Sequence, residues 1–351
     1  MIDYILIIPN RPAFVESGRG GASVGEYPVD KPGALYYHQS QMQKRTGQVM
    51  KKRRSGSAAA GSVLVITAGI FWGSMGLFVR KLGEYGFSSI QITCLRLTVA
   101  ALVFAALHIA LERGSLMISL RDLPLFLGLG LGSILFFTVC YFTAINMLSL
   151  SVAAILLYTS PIWVMLMSCA FFREKLTARK LAALVCAFGG CVLVSGISSG
   201  GLSAAGLLVG IGSGIGYGLY SILGSIALKK YSPLTVTTFT FVIAALGAWC
   251  ISSPADMMAR AAAAESVWQL LLTLLLTGLI TAVIPFSCYT EGLKSVEPGK
   301  ASILATVEPM VATIIGAAVF SEPVTLLSGL GIALILASVV ILNLKARTRA
   351  S

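Results

Sequence analysis

From Ala58 onward the chain is a succession of long apolar runs separated by short polar breaks. A helix that crosses a bilayer needs about 20 predominantly apolar residues, and the runs have that length. Their spacing predicts ten transmembrane helices, at about 59–79, 87–111, 124–146, 150–172, 178–197, 205–228, 233–253, 267–291, 300–321 and 324–344. The connections read as short throughout. Before Ala58 the pattern changes: YPVDKPG, YYHQSQMQKRTGQ and KKRRSGS are polar and turn-rich, a composition that cannot bury a core. The opening MIDYILIIP is too short to span and lacks the flank of a secretory signal. The chain therefore divides into a tail over 1–57, expected to be disordered, a first half over 58–200, a second half over 201–345 and a cytoplasmic tail over 346–351. Met50, directly before Lys51, Lys52, Arg53 and Arg54, reads as the natural start of translation.

Composition agrees with the pattern. At 56% hydrophobic and 11% charged, the chain is too apolar for a soluble globular protein of this size. The net charge of +12 would suggest nucleic acid in a soluble protein, but here the basic residues sit at helix ends, and no nucleic-acid partner is expected. With the N-terminus inside, seventeen near-membrane Lys and Arg fall on the inner side, against Arg80, Lys81 and Arg260 outside. The positive-inside rule then places both termini in the cytoplasm, in the inner (plasma) membrane of a bacterium. The seven cysteines lie in apolar runs without ligand spacing, and His38 and His108 are the two histidines, so no metal and no cofactor is expected.

The chain also repeats itself. The stretch from Ser151 to Thr177 realigns on the one ending at Thr325 at an offset of 148, pairing Ala153 with Ala301, Pro161 with Pro309, Phe172 with Phe320 and Glu174 with Glu322. Upstream, Cys140-Tyr141 falls on Cys288-Tyr289 in the same register. At slightly different offsets GIFWG, Gly69–Gly73, falls on GIGYG, Gly214–Gly218, and Ser88–Ala101 falls on Ser232–Ala245. Each half thus holds five helices. Five is odd, so the second half is inserted upside down, the arrangement in which exchanging the conformations of the halves exchanges the open side.

These features resemble the EamA-type branch of the drug/metabolite transporter superfamily. The residues that carry the likeness are Phe71-Trp72-Gly73, Arg96 opening the RLTVAALVF run, and the twice-repeated Pro-x12-Glu. The resemblance covers about 59–344. It implies a secondary carrier for a small metabolite, often an exporter of amino-acid-like compounds, without an ATP-binding part. The second half departs from the pattern at Thr240, which stands where the first has Arg96.

Charged groups inside spans cost about 2.5–3.5 kcal/mol on insertion scales, so Arg96 and Glu308 need an account. Each lies roughly 12–13 Å into its helix at 1.5 Å per residue, approaching the midplane from opposite sides. One reading has Arg96 recognise an anionic group and Glu308 take a proton or an amine. The other has them form a structural ion pair, or has Arg96 cap backbone carbonyls. Their repeat mates are Thr240 and Ser160. Pro161 and Pro309 free the carbonyls of Leu157 and Ala305, marking either bending points at a cavity or static kinks filled by neighbours. Trp72 and Tyr217, repeat mates near the middle of their helices, are expected as aromatic walls, and Tyr158 as a pocket residue. Tyr141 and Tyr289 approach opposite surfaces, as interfacial anchors or as gates. Glu174 and Glu322 read as anchors near the interface. The glycines at 206, 210, 214 and 218 form a ridge for close helix packing.

A membrane-embedded enzyme would need a nucleophile with a base, paired carboxylates or a metal cluster, and the sequence offers none. A sensor or scaffold would usually add an output domain. Transport is the economical reading, with a small-molecule substrate and the bilayer as partners, a proton as the coupling ion and a second copy of the chain in a homodimer. Lipophilic cationic drugs are the alternative substrate class.

Overall fold

The computed structural model describes residues 58–112, 118–196 and 203–344. The expectations for the N-terminal tail, the start at Met50, the C-terminal tail and the boundary between the halves lie outside the described residues.

Among the described residues, ten helices are long and apolar enough to cross a membrane: α1 Ala58–Glu84, α2 Ser89–Leu111, α3 Leu120–Met147, α4 Leu150–Phe172, α5 Ala178–Ser195, α6 Ala204–Ala227, α7 Pro233–Ile251, α8 Val267–Gly292, α9 Pro298–Phe320 and α10 Leu326–Asn343. No strand occurs among the described residues. Local chemistry starts these helices in pairs. Ser88 opens α2 with a reciprocal capping box to Gln91, and its repeat mate Ser232 accepts from the Thr235 N–H to open α7. Thr177 and its mate Thr325 cap α5 and α10 in the same way, accepting from Lys180 and Ser328. Each such oxygen satisfies a donor that the first turn of a helix leaves without a partner.

Three boundaries differ from expectation. Helix α1 runs on to Glu84, past Arg80 and Lys81, and α3 begins at Leu120, taking in Arg121 and Asp122. Hydropathy ends where polar residues begin, whereas a helix continues into the interface while long side chains reach for water. The connection between α7 and α8 is not short: it holds a further helix, Pro254–Ala262. Its Pro at the start, Asp256 in the first turn and Arg260 in the last are favoured at those ends.

Pairing between the halves places the site. Helices α4 and α9 each break just before their proline, at Tyr158-Thr159 and at Ala305-Thr306. The proline cannot donate to the carbonyl one turn back, and each break is tied by a threonine hydroxyl, Thr159 to Leu156 O at 2.6 Å and Thr306 to Ile303 O at 2.7 Å. Each break is covered by glycines of the other half. A Cβ on Gly73 of α1 would stand 2.7 Å from the carbonyl oxygen of Glu308, and one on its mate Gly218 of α6 would stand 3.2 Å from that of Ser160. Each kink therefore lies in close contact with the backbone of a helix of the other half. Helices α3 and α8 carry π-helical turns at Gly128–Leu135 and Leu279–Val283, in corresponding positions. Helices α2 and α7 pack together, as do α5 and α10, where Gly190 and Gly331 face each other.

The C-terminal end of α1, at Arg80, lies beside Glu322 at the C-terminal end of α9. That of α6 packs near Leu293, just past the end of α8. The two first helices of the halves therefore point in opposite directions, as inverted repeats require.

Candidate functional site

A cavity of about 590 Å³ lies between the halves. Its walls are the C-terminal parts of α1, α3, α5 and α9 and the N-terminal parts of α2 and α4, with Tyr217 of α6 and Phe286 of α8 also lining it, so it opens at the end of the bundle where those termini gather. Arg80, Leu150 and Glu322 stand exposed at this mouth.

The cavity brings together most of the residues that the sequence singles out. Trp72, Arg96, Tyr141, Tyr158, Tyr217, Glu308 and Pro309 all line it. Glu308 sits in the first turn after the break in α9, where the helix restarts and its first donors face an acidic side chain. Its Oε2 accepts from the Tyr217 hydroxyl at 2.9 Å. Arg96 is 4% exposed. Its Nη1 meets the Met75 sulfur at 3.3 Å and its buried Nε has no hydrogen-bond partner. Arg96 and Glu308 do not form an ion pair among those of the described residues, and Arg96 caps no backbone carbonyl through the bond it makes. The cavity thus holds a guanidinium and a carboxylate with unspent donor and acceptor capacity, an arrangement suited to a ligand with both charges. By contrast Arg80 and Glu322 at the mouth satisfy each other at 2.5 Å, and Arg80 also lies over the Phe320 ring.

Below this cavity the bundle is sealed. Trp72 packs edge-on to Phe286 with centroids 5.0 Å apart and lies 5.3 Å from Tyr289; Tyr220 meets Phe286 at 5.1 Å. Hydroxyl bonds pin the layer, Tyr220 with Thr290 at 2.6 Å and Tyr289 with Ser221 at 2.7 Å. Only about 20 Å³ of space remains here, with Ser160 and Tyr217 along its edge. Tyr217 and Trp72 meet at 6.2 Å, so these repeat mates share the boundary between cavity and seal.

Two sequence expectations change. Tyr141 and Tyr289 are not interfacial anchors: Tyr141 lines the cavity, and Tyr289 is buried in the aromatic seal. Counting residues from a helix end gives depth but not facing, and both rings face inward. Pro161 does not line the cavity as Pro309 does; it is buried beside Ser160, nearer the seal. Met75, Phe137, Phe286 and Tyr220 went unrecognised because, as apolar or aromatic residues in apolar runs, they look like lipid-facing neighbours. Glu322 stands at the mouth of the cavity, a position that its reading as an anchor did not anticipate. Among the described residues no group of His, Cys, Asp and Glu could hold a metal ion.

The model of the EamA-like transporter family matches the chain twice, over residues 59–196 and 204–344. An uncharacterised transporter of Archaeoglobus fulgidus is 29% identical over 284 residues, covering 80% of this chain and 95% of the relative. The uncharacterised inner membrane transporter YicL of Salmonella typhimurium is 25% identical over 307 residues, covering 84% and 99%. A solved crystal structure superposes with a TM-score of 0.69 at 20% identity, covering 84% of this chain and 99% of that one.

Proposed function

The chain belongs to the EamA-like transporter family and is a multi-pass membrane transporter, and from that premise we propose that it moves a small zwitterionic, amino-acid-like metabolite by alternating access and works as an exporter. The observation that carries the reading is the pair of incompletely satisfied charges, Arg96 and Glu308, in one cavity closed at one end by a hydrogen-bonded aromatic layer. A ligand with an anionic and a cationic group would satisfy both, and charge-assisted hydrogen bonds are the strong ones in such a setting. A lipophilic cation, the rival substrate, would gain from Glu308 but meet the uncompensated Arg96.

Orientation follows the basic residues. At the closed end lie Arg121, Arg173, Lys175, Arg179, Lys180, Lys229, Lys230, Lys294 and Lys300; at the mouth end lie Arg80, Lys81 and Arg260. The positive-inside rule then faces the mouth outward and the seal toward the cytoplasm. Glu308, carrying a proton in one state and a substrate amine in the other, is the coupling group of this reading.

Two measurements test it. Comparing inside and outside metabolite pools of cells with and without the protein should reveal a zwitterion depleted from the cytoplasm. In reconstituted vesicles, Glu308→Gln keeps the shape and the Tyr217 bond but loses the charge, so pH-driven accumulation should vanish while counterflow exchange persists. Undiminished pH-driven accumulation in Glu308→Gln would remove the carboxylate from the coupling.

A further inference from the structure

We propose that Glu174 and Glu322 are the two members of an alternating latch, each carboxylate capping the proline-broken helix of the opposite half in one conformation and releasing it in the other. The inference rests on the alternating-access reading above.

The two glutamates sit on identical backbone devices. Helices α4 and α9 end in residues held in the left-handed conformation, Arg173 at φ 53 and its mate Ser321 at φ 53. The next residue turns back in both: the Glu174 N–H donates to Ser168 O and the Glu322 N–H to Gly316 O, each at 3.2 Å. Ser168 and Gly316 are themselves mates at the offset of 148. From this shared platform the two side chains go to different places. Glu174 is buried at the closed end, where its Oε2 accepts from the Gly299 N–H at 3.4 Å and its Oε1 from Lys180 Nζ at 2.6 Å. Helix α9 needs that acceptor, because its own cap residue Glu297 makes no side-chain capping bond and Pro298 brings no donor. A Cβ on Gly299 would stand 2.8 Å from the Glu174 carboxylate, so a side chain there would push that carboxylate aside.

Glu322 makes no such contact. It pairs with Arg80 instead and is half exposed at the mouth. At the same offset of 148, the mate of Gly299 is Ser151, in the first turn of α4. Ser151 lines the same mouth as Glu322. The start of α4 is partly capped already, Ser149 Oγ accepting from the Val152 N–H at 3.3 Å, so the donor at issue is the Ser151 N–H, mate of the Gly299 N–H; closing the mouth by the symmetric motion brings the Glu322 carboxylate to it, where the helix dipole favours an anion. The same motion withdraws Glu174 from Gly299. Arg80 holds Glu322 away from that position while the mouth is open, the role its exposure and pairing suit.

The test uses the full chain in membrane vesicles and two cysteine reporters read by mass spectrometry after labelling with a membrane-permeant maleimide, which reaches both faces. Thr313→Cys reports the open cavity and Ser302→Cys the sealed end. Glu174→Gln should slow labelling of Thr313→Cys and raise that of Ser302→Cys, and Glu322→Gln should lower that of Ser302→Cys, each by about tenfold for the loss of one charge-assisted bond in one state. Arg80→Gln, which frees Glu322 to dock, should raise labelling of Ser302→Cys, opposite to Glu322→Gln. If Glu322 merely pairs with Arg80, the two variants shift the reporter alike, and that result overturns the latch. If Glu174→Gln yields no folded protein, the contrast between Glu322→Gln and Arg80→Gln decides alone. A Ser302→Cys reporter that never labels in any background sinks alternating access itself, whereas exchange that is blind to both glutamates sinks only the latch.

Discussion

Adding one methyl group to Gly73 tests whether close backbone contact between α1 and α9 sets the position of Glu308. In Gly73→Ala the new Cβ would stand 2.6 Å from the Val311 Cβ and 2.7 Å from the Glu308 carbonyl oxygen. Neither neighbour is the free end of a flexible chain, so the helices must part. Overpacking of this kind costs about 1–3 kcal/mol, against which alanine gains about 1 kcal/mol in helix propensity. Gly76, one turn on in the same helix, has nothing within 4 Å of its would-be Cβ. Gly76→Ala therefore keeps the propensity gain without the clash, and the two variants should differ by about 1–3 kcal/mol, roughly 5- to 150-fold in the unfolding equilibrium. Gly218→Ala, the repeat mate, should fall between them, because its Cβ would stand 2.8 Å from the Val164 Cγ2 but 3.2 Å from the Ser160 carbonyl. The assay is thermal unfolding of detergent-purified variants, with substrate exchange in vesicles measured alongside. Gly73→Ala should melt lowest and, by displacing the turn that carries Glu308, lose the most exchange. Equal midpoints for Gly73→Ala and Gly76→Ala would refute the close packing on which this account of the site depends.

Three further outcomes are expected. Pro161→Ala and Pro309→Ala should lower transport more than they lower the amount of folded protein in the membrane, and full transport by either would make that proline a static kink. Arg260, with Gln91 beside it, holds the Asp256 carboxyl below its ordinary range. Because the folded pKa is the lower one, the bond is fully present above the usual carboxylate value of about 3.9 and is lost as pH falls through the depressed value; protection from hydrogen exchange at 254–262, taken relative to the intrinsic exchange rate at each pH, should be flat down to about pH 5, fall in stronger acid, and lose this dependence in Asp256→Asn. Lys229→Cys and Glu265→Cys, both at exposed positions, should label from the inside and the outside respectively; the reverse would invert the orientation proposed for the mouth.

Span number, repeat and proline breaks were legible in the sequence because each follows from a local rule: run length against bilayer thickness, duplicated residues at a fixed offset, and the missing donor of Pro161 and Pro309. The helix Pro254–Ala262 escaped because nine residues of mixed polarity give no span signal. Facing was the larger gap. Residue counting set Tyr141 and Tyr289 near helix ends, but whether a ring meets lipid, cavity or core depends on helix rotation, which tertiary packing sets. The same gap hid Phe137 and Phe286. Arg96 and Glu308 were recognisable because charge inside a span demands an account, yet only the structure shows that Glu308 bonds to Tyr217 while the Arg96 Nε has no partner.

What the repeat keeps and what it discards follow different physical demands. The backbone devices are duplicated: the proline breaks, the glycines that cover them, the left-handed helix ends and the π-helical turns. A bundle whose halves exchange conformations needs each hinge to serve both states at nearly equal free energy, and equal hinges are the direct way to obtain it. The two buried charges of the cavity are not duplicated, since the repeat mate of Arg96 is Thr240 and that of Glu308 is Ser160. A ligand has no reason to share the two-fold relation of the halves, so a site built for one molecule with distinct charged ends must break the symmetry that the hinges preserve. On the function proposed above, the departures of this chain from its own repeat at Arg96 and Glu308 are the places where the substrate imposes its asymmetry.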